Sequence, residues 1–489
     1  MASHPALLQW PRERGNRAKR ALWDAAALAD AMAGCASEEF QVSGVEIDSR
    51  DVRPGDLFFA LKGDAMDGHV FLEKAFAAGA AAAVVDRPIP QPHILVGDTF
   101  LALEALASAS RDRSAAKRIG VTGSVGKTGV KEALFAALDR SSSGQSHRSV
   151  KSYNNHVGVP LSLARMPAGS KYGIFEMGMN HAGEIADLTA QVRPDVAVIV
   201  TIAPAHIENL GSEEAIADAK AEIFGGLRPG GTAVIPADSP HFARLRDAAR
   251  KLNAKVVSFG RSSDADVRLL DAIPSANGGS LVTAELGKHR LCYSVAEPGE
   301  HWIANSLAVI AAVRAVGGDL GAAGLSLAEM GGLKGRGARH KISAISGKAL
   351  LIDESYNANP ASMRATLQQL GQTPATRRVA VLGSMKELGD FADGFHSQLS
   401  EPVIAARTDF VVLVGDEMRA LANALSRELG KGADHTLGIV PAFAHCASPG
   451  EAISALEEYG ITSGDAILVK GSNSVGLGRL VDHFVNREG

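Results

Sequence analysis

The chain has 489 residues, more than one compact domain usually holds, so several domains are expected. Its formal net charge is −4 with no long run of one sign, which argues against a general nucleic-acid or membrane-surface role. No apolar stretch reaches membrane-spanning length, and the scattered Cys35, Cys292 and Cys446 make neither a disulfide framework nor a metal-type pair. Arg12, Arg14, Arg17, Lys19 and Arg20 form a basic arm with no apolar signal-peptide core behind it, so a cytoplasmic location is expected.

An Ala-rich amphipathic pattern predicts a helix from Ala21 to Gly34, followed by strands at Val45–Asp48 and Asp56–Leu61. A helix over Val70–Ala78, a strand at Ala82–Asp86 and a helix over Phe100–Ala109 complete a small α/β module. The polar stretch Arg111–Arg118 reads as a linker. A second α/β block has strands at Arg118–Val121, Tyr172–Phe175, Asp195–Ile202 and Thr232–Pro236 with helices between, the pattern of a parallel, doubly wound sheet. Ser141–Ser149 reads as a surface loop, and Gly331–Gly337 as a hinge. Strands at Ala349–Asp353, Arg378–Leu382, Phe410–Val414 and Ala466–Lys470 then predict a second doubly wound, Rossmann-like domain. It has no Gly-x-Gly-x-x-Gly after its first strand, so no dinucleotide cofactor is indicated. The fold class is therefore α/β in three domains, 21–112, 113–332 and 333–489.

The strongest motif is Gly120-Val121-Thr122-Gly123-Ser124-Val125-Gly126-Lys127-Thr128, between a predicted strand and a helix with Val130, Leu134 and Leu138 four apart. Such glycines let backbone N–H groups surround phosphate oxygens at a helix N-terminus. Lys127 would reach the terminal phosphates and Thr128 would hold Mg²⁺. The spacing is not the usual one, since Val121 stands where the common pattern has its first Gly. Glu176 follows one predicted strand and His206 another, and ligands of open α/β sheets collect at such carboxyl ends. Thr128, Glu176 and His206 are therefore expected to converge around one or two Mg²⁺ ions. Taken singly, each has a plain alternative: a chance Gly-Lys-Thr turn, or a helix cap or surface residue.

These residues resemble the Mur ligase family, and the resemblance runs from about Ala21 to the end of the chain. Gly-Val-Thr-Gly-Ser-x-Gly-Lys-Thr is similar to the family's shortened phosphate loop, and Tyr153-Asn154-Asn155-His156-Val157-Gly158-Val159-Pro160 to its substrate loop. Glu176-Met177-Gly178, Asp353-Glu354-Ser355-Tyr356-Asn357-Ala358-Asn359-Pro360 and Gly383-Ser384-Met385-Lys386-Glu387-Leu388-Gly389 resemble the branch that adds D-alanyl-D-alanine. Asp48-Ser49-Arg50 and Leu57 to Gly63 resemble that branch's UDP-binding domain.

The resemblance implies an ATP- and Mg²⁺-dependent amide ligase acting through an acyl phosphate. Its N-terminal domain would bind UDP, the central P-loop domain ATP, and the C-terminal domain would close over both. The implied substrates are UDP-N-acetylmuramoyl-tripeptide, D-alanyl-D-alanine and ATP, acted on by a monomer. Catalysis would rest on Lys127, Glu176, His206 and Lys220, the last as a carbamylated lysine. Thr128, Glu176, His206 and Lys220 would contact the metal. ATP would meet Gly123, Ser124, Val125, Gly126, Lys127, Thr128, His301, Asn305, Arg336, Asp353 and Asn357. The other substrates would meet Ser49, Lys62, Gly63, Asn154, Asn155, Lys470 and Ser472. Two positions depart from the family pattern: Trp302 where Asn is frequent, and Asn473 where Arg is expected.

Two rivals remain on the sequence. One is a sibling enzyme, either folylpolyglutamate synthase-like or diamino-acid-adding, although the Asp-Asn-Pro-Arg stretch of the latter is absent. The other is a non-catalytic nucleotide-binding protein, for which Glu176, His206 and Lys220 together would have no use.

Overall fold

The computed structural model of the chain describes residues 21–63, 66–205, 207–275, 278–430 and 439–488, so the basic arm lies outside the described residues. The first helix is Ala25–Ala31, shorter than its Ala-rich pattern suggests. Trp23–Asp24 instead pairs with Gln41–Val42, and Asp24 caps the helix by accepting from Ala27 N at 2.8 Å. A sheet ordered Cys35–Ala36, His93–Leu95, Ala82–Val85, Asp56–Phe59, Gly44–Glu46 follows, its last four strands parallel. The segment expected as one helix from Val70 is a 3₁₀ turn, Gly68–Phe71, leading into a helix at Leu72–Ala77. The helix Thr99–Asp112 and the strand Lys117–Thr122 both invade the expected linker, leaving residues 113–116 to connect them.

The central sheet places the phosphate-loop strand Lys117–Thr122 between Val196–Ile199 and Tyr172–Glu176, parallel to both. Outward from Val196–Ile199 lie Thr232–Pro236 and Lys255–Gly260, then Val267–Pro274, Ser280–Leu286 and His289–Val295, the last three joined as antiparallel hairpins. This flank was not expected from the sequence. Its inward residues Val267, Leu269, Val282, Ala284, Tyr293 and Val295 are buried.

The Ser-rich loop is also corrected. Ser141 ends the helix Lys127–Ser141, and Ser146–Arg148 is an edge strand beside Tyr172–Glu176. Ser142, Ser146 and Ser149 are buried because their hydroxyls find partners: Ser142 and Ser146 bond each other at 3.0 Å, and Ser149 Oγ accepts from Glu176 N at 3.3 Å.

The last sheet is ordered Ala338–Ala344, Gly347–Glu354, Ala466–Lys470, Arg378–Gly383, Phe410–Val414, Ala442–Cys446, with only the first pair antiparallel. Alternate residues of its strands feed opposite faces: Val379 and Val381 enter one core, Ala380 and Leu382 another. The central sheet does the same, with Val196 and Val198 on one side and Ala197 and Ile199 on the other. Both sheets are thus covered on two faces, as strands with near-continuous apolar sequence require.

Candidate active site

The phosphate loop bends where glycine is needed. Gly126 has φ +86°, and a side chain there would meet Val200 and Asn305 within 3.0 Å. Ser124 ties the loop down. Its hydroxyl donates to Ala203 O at 2.8 Å and accepts from Ala203 N at 3.0 Å, while Ser124 N donates to Thr201 O at 2.7 Å. The Lys127 ammonium donates to Gly123 O at 2.6 Å inside its own loop. Loss of hydration pushes its pKa below the usual lysine value, with Glu176 opposing that shift. Trp302, the departure from the family pattern, packs over Gly129, where a Cβ would meet the indole at 3.0 Å.

Glu176 is the last residue of its strand and is buried. Its Oε2 accepts from the Thr128 hydroxyl at 2.9 Å, and its Oε1 accepts from Asn154 Nδ2 at 2.8 Å. One carboxylate therefore joins the phosphate-loop helix to the segment carrying Asn154 and Asn155. Asn155 turns the other way, its Oδ1 accepting from Gly158 N at 2.9 Å at the start of the helix Gly158–Ala164. His206 lies outside the described residues. Lys220 is buried on the helix Glu213–Ala221, and its pKa falls well below the usual value, through burial first and the Lys127 charge second.

Within the hinge segment, the Arg336 guanidinium lies 4.3 Å over the Tyr356 ring and 3.5 Å from Ser152 Oγ. Asp353 is buried and engaged in the hinge: Oδ2 accepts from Gly335 N at 2.7 Å, and Oδ1 accepts from Ser355 N and Oγ. Lys470 is buried, donates to Asn357 O at 3.0 Å, and stands 3.6 Å from Glu354. Burial lowers the Lys470 pKa and raises that of Glu354, each opposed by the other's charge. His301 is held neutral near pH 7, pushed down to about 4 by burial and by Lys470. Asn305 is buried and faces Gly126. Ser472 Oγ accepts from Lys386 N at 3.0 Å, and both line a cleft of ≈ 300 Å³ with Ala205 and Asn357–Asn359. Asn473, the second departure, lines that cleft too.

The N-terminal candidates form a separate group. Ser49 is buried, Gly63 is exposed, and Lys62 pairs with Asp86. His69 Nε2 accepts from Asp86 N at 3.4 Å, and His69 Nδ1 is 2.6 Å from Asp67. Lys151–Asp51, at 2.5 Å, links this region to the substrate-loop segment.

Motif reading missed several residues of the site. Lys131, on the same helix face as Thr128, is buried 3.9 Å from Glu176. Its place three residues after Thr128 was the available signal. Glu297 is buried near Glu354 and Gly337, and nothing in its local sequence marks it.

Comparison with known proteins matches all three parts of the chain. Residues 41–113 match the family model "Mur ligase family, catalytic domain", 121–313 "Mur ligase middle domain", and 339–473 "Mur ligase, glutamate ligase domain". The UDP-N-acetylmuramoyl-tripeptide–D-alanyl-D-alanine ligase of Synechocystis sp. is 34% identical over 461 residues, 92% of this chain and 93% of that relative. The Escherichia coli ligase of the same name is 36% identical over 388 residues, covering 79% and 84%. The crystal structure of MurF from Acinetobacter baumannii superposes with a TM-score of 0.80 at 29% identity, covering 95% of this chain and 99% of that one. With its phosphate loop, its three larger sheets and relatives matching along most of its length, the chain belongs to the Mur ligase family.

Proposed function

We propose that the chain is an ATP-dependent ligase that adds D-alanyl-D-alanine to UDP-N-acetylmuramoyl-tripeptide in peptidoglycan precursor synthesis. The observation that carries this reading is the Glu176 carboxylate shared between Thr128 of the phosphate loop and Asn154 of the substrate-loop segment. The relatives bearing that activity in their names give the substrates. Three domains, 21–112, 113–332 and 333–489, divide the work in a cytoplasmic monomer.

Backbone N–H groups of Gly123–Thr128 and the Lys127 ammonium hold the terminal phosphates of ATP, and Arg336 adds charge from the hinge. Asn305 and His301 face the adenine end, with Asp353 and Asn357 toward the ribose. Ser49, Lys62 and Gly63 hold the UDP group, while Asn154 and Asn155 steer the peptide. The Thr128 hydroxyl and the Glu176 carboxylate are hard oxygen donors that suit Mg²⁺, with His206 and a carbamylated Lys220 completing the set. Bound there, Mg²⁺ would neutralise phosphate charge.

The terminal carboxylate of the tripeptide attacks the γ-phosphorus, the bond to ADP breaks, and an acyl phosphate forms. The dipeptide amine then attacks the acyl carbon and loses a proton, and inorganic phosphate departs from the tetrahedral intermediate. Lys470 and Ser472 border the cleft through which the amine approaches. The protein's contribution is positioning and charge neutralisation. Phosphate release measured with each amine in turn tests the reading. D-alanyl-D-alanine should be consumed fastest, and faster use of glutamate or a diamino acid overturns the assignment.

A further inference from the structure

Lys131 is a buried ammonium that the reaction above does not use. It lies on the phosphate-loop helix, fully enclosed, and donates to Ser149 O at 3.1 Å and Lys151 O at 2.7 Å. Glu132 is 3.0 Å away and Glu176 3.9 Å. A buried lysine is costly unless its three donors are engaged, and here two carbonyls and two carboxylates surround it.

The carbonyls belong to a corner in the chain. Ser149 continues the line of the edge strand, its N–H donating to Ile174 O at 2.9 Å, and Lys151 turns with φ +53°. A non-glycine residue pays strain in that conformation, so the corner needs an external tie. Asn154 follows three residues later and bonds Glu176. Lys131 thus holds both sides of this corner, and the segment carrying Asn154 and Asn155 follows directly after it.

We propose that Lys131 is a positioning residue: it clamps the Ser149–Lys151 corner to the phosphate-loop helix and thereby sets where the 153–155 segment meets the UDP-linked peptide. The proposal rests on the reading of that segment as the substrate loop. Without the ammonium, the corner relaxes and the asparagines lose their register. The phosphate loop keeps its own anchors, through Ser124 to Ala203 and Thr201, and is spared.

The test is steady-state phosphate release by Lys131→Met, which keeps length and removes the charge, with thermal melting to confirm folding. The KM for UDP-N-acetylmuramoyl-tripeptide should rise about tenfold or more, as loss of charged hydrogen bonds implies, and the KM for ATP by less than about twofold. If the Met variant does not fold, Lys131→Gln retains donors for one carbonyl and should show the same selective rise, smaller in size. Unchanged constants, a fall in kcat alone, or parallel rises in both KM values overturn the positioning role. A wild-type enzyme that releases no phosphate with this substrate overturns the functional reading instead.

Discussion

The hydroxyl of Thr128 and the carboxylate of Glu176 meet at 2.9 Å although 48 positions separate them in the chain. Glu176 ends the strand Tyr172–Glu176, and Thr128 opens the helix that follows the neighbouring strand Lys117–Thr122, whose parallel register pairs Glu176 with Val121. Glu176→Gln keeps the shape and removes the charge. Turnover should fall by about a hundredfold or more, since one charge-stabilising contact is lost where charge develops. Phosphate release beside a melting curve checks this, and near-normal rates in a folded variant would remove Glu176 from the chemistry.

Lys220 offers a separate test. Burial and the nearby Lys127 charge drive its pKa well down, favouring the neutral amine that CO₂ can convert to a carbamate. Lys220→Ala should be nearly inactive whether lysine acts as carbamate or ammonium. Added short-chain carboxylic acids should restore part of the activity only in the first case. Wild-type protein whose intact mass and density at Lys220 show a plain amine at full activity would exclude the carbamate.

The buried Glu297 makes stability depend on pH. Burial pushes its pKa from the ordinary 4.5 up to about 7, opposed by Arg339 and reinforced by Glu354. Between those values the unfolded chain releases the proton while the folded chain keeps it, so stability falls as pH rises through the window. The loss is complete above about pH 7 and amounts to roughly 3 kcal/mol at most. Glu297→Gln should therefore gain melting temperature over wild type at pH 8 but little at pH 4.5. An equal difference at both pH values would rule out the titration.

Closure between the nucleotide-facing groups is the fourth expectation. Arg336 lies among the hinge glycines and Asp353 beyond them, while Lys127 lies before them, and the Lys127 and Arg336 charges already sense one another. A ligand contacted from both sides binds the closed form better and shifts the population toward it. Small-angle scattering with an ATP analogue and the UDP-linked tripeptide should show compaction that Arg336→Ala reduces. An unchanged profile in wild type counts against it.

The parallel strands were legible because both faces are buried, so their sequences are short apolar runs such as Phe410–Val414 and Ala466–Lys470, found with the expected bounds. The hairpin flank was harder. Leu281 and Ile273 are exposed there, which blurs the inward alternation of Val282 and Ala284. The phosphate loop and Glu176 could be read from strand-end position. The internal duties of Asp353 and Asn154 could not, because they depend on which groups the fold brings opposite them: Gly335 N for one, Glu176 for the other. Lys131 had the spacing of a Thr128 neighbour, but the sequence held no sign of the corner that it ties.

The register of the central sheet has a consequence for where this chain can lengthen or shorten. Ile199 opposes Thr122 and Glu176 opposes Val121, so both flanking strands end level with the phosphate loop. A one-residue insertion inside Tyr172–Glu176 would turn every later side chain of that strand to the other face and carry Glu176 away from Thr128. The antiparallel ribbons from Val267 to Val295 bear no such constraint, since they lie at the sheet's far edge and return on themselves. Insertions and deletions that spare the chemistry therefore belong in those ribbons' turns.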